Sequence, residues 1–72
     1  MSDFPKRLKE IRKIKGLTQR QVFTAIEANE RLYQSYEYGE KDPSYKVTIK
    51  LADFFDVSID YLVGRSDNPE RR

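Results

Sequence analysis

The sequence predicts an all-α fold of five short helices. Three observations carry that expectation: apolar residues recur at intervals of three and four, capping residues stand at the head of successive segments, and the glycines fall where helices should stop. Phe4, Leu8, Ile11 and Ile14 place one apolar face on a first helix that starts after Asp3 and ends at Gly16. Pro5 is tolerated there because a first-turn residue has no intrahelical use for its N–H. Thr18 and Gln21 have the Thr-x-x-Gln spacing of a capping box and open a second helix with Val22 and Ile26 on its buried side. A tight bend leads to a third helix, opened by Asn29, closed by Gly39 and buried through Tyr33 and Tyr36.

After the polar loop Gly39 to Pro43, Ser44 caps a fourth helix with Val47, Leu51, Phe54 and Phe55 as its apolar positions and Ala52 allowing close approach. Asp56 and Val57 interrupt the pattern. Ser58 then caps a last short helix through Ile59, Tyr61, Leu62 and Val63, which Gly64 ends. Residues 65–72 have no large apolar side chain and are expected to form a frayed polar tail. The second and third helices are too short to bury their own stripes. They must lean on another helix, and they offer a partner the outer face of the third, with Asn29, Glu30, Arg31, Leu32, Gln34, Ser35 and Tyr38.

Composition narrows the chemistry. Seventy-two residues suffice for one small domain, with no room for a separate ligand or dimerisation domain. Cysteine and histidine are absent, so disulfide, thiolate and histidine-based metal or proton-transfer chemistry are not expected. The one carboxylate cluster, Asp53, Asp56 and Asp60, reads as a solvated helix end rather than a metal or catalytic site, and neither enzymatic activity nor a cofactor is predicted. No signal-peptide or membrane-length apolar run occurs, which predicts an intracellular protein without a membrane partner. The net charge of +2 conceals an asymmetry: residues 1–20 hold seven basic groups against two acidic, whereas residues 21–64 hold four against eight. Such a field can draw a polyanion to one side of a domain, or simply reflect a solvated first helix.

The runs RLKEIRKIKGLTQRQV, YQSYEYGEKDPS and IKLADFFDVSIDYLVG resemble, at matching spacing, the helix-turn-helix family of lambda repressor, Cro and the xenobiotic-response-element-type regulators. The resemblance implies a lambda-repressor-like DNA-binding domain over residues 1–64, with the third helix in the major groove of double-stranded DNA and the second across the backbone. It implies that Glu30, Arg31, Leu32 and Ser35 face base edges. It assigns backbone contacts to Thr18, Gln19, Arg20, Asn29, Gln34, Tyr38, Lys41, Tyr45 and Lys46, with Gln19 also buttressing a recognition-helix side chain. Arg12 and Glu37 match a salt bridge between the first and third helices, a structural role.

The physics of these positions stands beside the resemblance. Arg31 has the fork geometry to bridge both major-groove acceptors of a guanine, worth roughly 1 to 3 kcal/mol of discrimination; the alternative is a surface ion pair with Glu27 or Glu30. Glu30 can accept from a cytosine amino group or serve to reject wrong sequences. Leu32 suits a thymine methyl or the fringe of the core. Phe23, Glu27 and Tyr33 depart from the family's small residue, glycine and branched aliphatic. The bulk at 23 and 33 implies either a displaced third helix or a Phe23 turned to the surface, and a left-handed Glu27 would cost roughly 1 kcal/mol.

One such domain contacts too few base pairs to select a genomic site, which predicts a homodimer joined through Phe54, Ile59, Tyr61, Leu62 and Val63. The expected function is a cytoplasmic, bacterial or phage transcriptional regulator, a repressor occupying a pseudo-palindromic operator. The competing expectation is an antitoxin-like or anti-repressor-bound interaction module, with a regulatory protein as partner and weakened DNA reading.

Overall fold

Helix ends set the layout. The computed structural model describes residues 4–70, with α1 Phe4–Ile14, α2 Gln19–Ala25, α3 Glu30–Tyr38, α4 Tyr45–Phe55 and α5 Ile59–Leu62. Met1 to Asp3 and Arg71 to Arg72, parts of the predicted domain and tail, lie outside the described residues. Each helix stops on a residue in the left-handed region: Gly16, Glu27, Gly39, Asp56 and Gly64. At each stop the left-handed residue and the one after it donate their N–H groups back into the last turn, as Glu27 does to the Thr24 carbonyl and Ala28 to the Phe23 carbonyl. Glycine fills three of these five positions without strain. At Gly39 an added Cβ would meet Pro5 Cγ at 3.4 Å, so close packing reinforces the backbone requirement there.

The helix starts are equally local in origin. Thr18, Asn29, Ser44 and Ser58 each accept a backbone N–H through a side-chain oxygen, and Thr18 with Gln21 completes the capping box. Helix α3 packs against α1 and α2, α4 against α2 and α5, and α5 against α1. One core results, made by Phe4, Leu8, Ile11, Val22, Ile26, Tyr33, Tyr36, Leu51, Ala52, Phe55, Val57 and Leu62.

Three details differ from the sequence-based expectation. Ile14 is 75% exposed; at 3.6 residues per turn it lies roughly 80° round the helix from Phe4, off the stripe that Leu8 and Ile11 share. Val57, expected only as a break, is buried, because the residue after a left-handed helix stop folds back onto the helix it ends. Finally, the polar segment after α5 does not hang free. Ser58 N–H donates to the Pro69 carbonyl, while Arg7 donates to the carbonyls of Tyr61 and Ser66 and pairs with Asp67 at 2.9 Å.

Candidate nucleic-acid interface

Helix α3 is bound to the body by a buried charge. The Glu37 side chain is fully covered and accepts four hydrogen bonds, matching the lone-pair capacity of a carboxylate. Arg12 of α1 supplies two, Nε to Oε2 at 2.6 Å and Nη2 to Oε1 at 3.2 Å, and it also donates to the Leu17 carbonyl. Tyr33 supplies its hydroxyl at 2.5 Å and Gln19 of α2 its amide at 3.1 Å. Burial alone would push the Glu37 carboxyl up, but the hydrogen bonds from Arg12, Tyr33 and Gln19 outweigh it and hold the group below the usual carboxylate range. The bond from Glu37 raises Arg12, and burial first, then Glu37, raises Tyr33 far above an ordinary phenol. At neutral pH Arg12 and Glu37 are therefore charged while Tyr33 keeps the proton it donates, and the node joins α1, α2 and α3 at one point.

The opposite side of α3 is open. Glu30 and Arg31 are exposed, Leu32 and Gln34 half-buried, and Tyr38 is exposed at the C-terminal end. A depression on one flank is lined by Asn29, Arg31, Leu32, Ser35, Glu40 and Lys41. A second, on the other flank, is lined by Arg12, Leu17, Thr18, Gln19, Arg20, Phe23 and Glu30. Both flanks of the α3 start thus combine backbone-contact candidates with base-contact candidates, as a helix seated in a groove requires. Tyr45 and Lys46, exposed at the start of α4, line neither depression. Arg31 does not form the alternative surface pair: Glu27 pairs with Lys50, Glu30 accepts from Gln34, and among the described residues the Arg31 guanidinium has no hydrogen-bond or ion-pair partner.

The profile of the helix-turn-helix family matches residues 8–62, from inside α1 to the last residue of α5. The chain belongs to that family, of the lambda-repressor and xenobiotic-response-element type. It is 37% identical over 65 residues to the HTH-type transcriptional regulator YqaE of Bacillus subtilis, covering 90% of this chain and 56% of that protein. Similarity to the HTH-type transcriptional regulator ImmR of the same organism is 34% over 62 residues, covering 86% of this chain and 49% of the relative. A crystal structure of a transcriptional regulator from Listeria innocua superposes with a TM-score of 0.83 at 33% identity, covering 89% of this chain and 60% of that one. The chain spans about half the length of the curated relatives it matches.

Within the family frame, α2 and α3 occupy the place of the helix-turn-helix pair. The unusual bend residue is accommodated, with Glu27 left-handed at φ 59°. Phe23 is half-buried, packed against the core and lining the depression with Arg20 and Glu30, and Tyr33 is fully buried with its ring edge-on to Tyr36. Two site assignments require correction. Ser35 is only 8% exposed and its hydroxyl donates to the Leu32 carbonyl one turn back, so it is not an open base-reading residue. Leu62 is 0% exposed, in the core between α1 and α4, and cannot form part of a dimer surface. Gln19 accepts from Gln34 of α3, the kind of buttressing contact the resemblance implies, whereas the bond from the same amide to Glu30 was not anticipated; its i,i+4 spacing is the sequence signal that points to it.

Proposed function

We propose that the domain reads double-stranded DNA by sequence, with α3 in the major groove, and acts as a cytoplasmic repressor by occupying a pseudo-palindromic operator as a homodimer. The observation that carries this reading is the Arg31 guanidinium, exposed and without a partner among the described residues, in a family whose third helix enters the groove. Glu30 and Leu32 flank it as further base-contact candidates. Thr18, Gln19, Arg20, Asn29, Tyr38, Lys41, Tyr45 and Lys46 remain the candidates for the sugar-phosphate backbone, whereas Gln34 has both amide hydrogens committed to Gln19 and Glu30. With Leu62 removed, the proposed dimer surface rests on Phe54 and Ile59, which are 39% and 40% exposed. Val63 is half-buried in a depression lined also by Phe4, Asp42, Pro43 and Thr48, and Tyr61, also half-buried, has Arg7 over its ring at 4.3 Å. The competing interaction-module reading draws on Phe23, which lines the depression with Glu30, and on the left-handed Glu27.

Enrichment of random duplex DNA on the protein at roughly physiological salt tests the reading. A motif with twofold symmetry, bound by two protomers per duplex in sedimentation, is the expected result. Failure of the folded protein to enrich any sequence would overturn it.

A further inference from the structure

The buried node and the open face are connected through two side-chain amides, and the connection has a direction. A carboxylate accepts hydrogen bonds and cannot donate them, so Glu37 forces the Gln19 amide to turn its NH2 inward, where it donates to Oε1 at 3.1 Å. The Gln19 carbonyl then faces α3 and accepts from Gln34 Nε2 at 3.2 Å. That same nitrogen donates to Glu30 Oε2, also at 3.2 Å, which uses both of its hydrogens. What Gln34 and Glu30 themselves leave for an outside partner is acceptors: the rest of the Glu30 carboxylate and the Gln34 carbonyl.

We infer that Glu37, acting through Gln19 and Gln34, holds Glu30 in place to accept from the amino group of a cytosine in the major groove, with Gln34 as the positioning residue. This rests on the DNA-reading function proposed above and deepens it. In the major groove only adenine and cytosine carry an amino group, so an acceptor-only edge selects them over guanine and thymine on the contacted strand. Adenine places its N7 acceptor beside that amino group and repels a carboxylate, whereas cytosine places a ring C–H there. Repulsion of Glu30 by phosphate is offset locally by Arg20, which lines the same depression, and by Arg31 next to it in the chain. Clamping by Gln34 also removes rotamer freedom that Glu30 would otherwise lose on binding.

Random-duplex enrichment with wild type, Glu30→Gln and Gln34→Met tests this. Wild type should return cytosine at one position of each half-site. Glu30→Gln, an exposed change that leaves the core untouched, should move that position toward adenine, whose N6 and N7 suit an amide that both donates and accepts. Gln34→Met should keep cytosine there but weaken its preference by about fivefold or more, with the loss confined to that position, where a general structural defect would lower all positions together. A motif with no position responding to Glu30→Gln, or a cytosine preference that Gln34→Met leaves intact, would overturn the inference while leaving DNA reading in place. No enrichment by folded wild type would overturn the DNA reading itself.

Discussion

The two faces of α3 differ in what their side chains are committed to. Inward, Tyr33, Tyr36 and Glu37 are buried, and the Glu37 carboxylate is saturated by donors from three helices. Outward, Arg31 and Tyr38 are exposed, and among the described residues no protein group holds the guanidinium. A nine-residue helix has room for this division because residues three and four apart share a face. Stability and information are therefore carried by different residues of one helix, and substitutions should sort accordingly.

The largest expected effect is at the node. Glu37→Ala strands the Arg12 charge and should cost about 3 to 5 kcal/mol, read as a lower midpoint in urea unfolding. The same node predicts a pH dependence at both ends. Because the Glu37 carboxyl is depressed in the folded state, its contribution is present above the ordinary glutamate range and is lost as pH falls through the lower folded value. Tyr33 is raised, so its contribution is intact below the ordinary tyrosine range and decays as pH climbs toward the folded value. Urea midpoints measured across pH should form a plateau that falls away on both sides, and the Tyr33→Phe variant should lack the alkaline fall due to this group.

At neutral pH, Tyr33→Phe removes one donor from a charged acceptor and should cost about 1.5 to 3 kcal/mol in the same unfolding assay. Glu27→Gly should act in the opposite direction. It relieves a left-handed non-glycine residue, worth about 1 kcal/mol, at the expense of an exposed pair with Lys50 that contributes little, so the melting temperature should rise by a few degrees. Arg31→Ala should be the smallest change, within about 0.5 kcal/mol of wild type in stability. A node substitution that left stability unchanged, or an outer-face substitution that collapsed it, would break the division between the two faces.

Much of this fold was legible because its boundaries are written in local chemistry. Thr18, Asn29, Ser44 and Ser58 cap helices where the sequence places them, and Gly16, Gly39 and Gly64 take the left-handed stops. What escaped was non-local or conformational. Ile14 fits a three-and-four pattern by count but has rotated off the stripe by the end of α1, and Val57 is buried through a backbone reversal that periodicity does not register. The site was less legible than the fold. Arg12 and Glu37 were paired through family resemblance, and no pattern in the chain would have joined residues 25 positions apart. The link from Gln19 to Gln34 depends on how two helices cross, and the loss of Ser35 and Leu62 from the exposed surface depends on which neighbours cover them.

Central to the account is the claim that Arg31 serves DNA reading and contributes almost nothing to folding. Thermal unfolding and random-duplex enrichment of Arg31→Ala, run beside wild type, test it most directly. The account predicts superimposable melting and a symmetric motif that loses its guanine preference at one position per half-site. A variant that melts several degrees lower, or one that returns the wild-type motif unchanged, would contradict it.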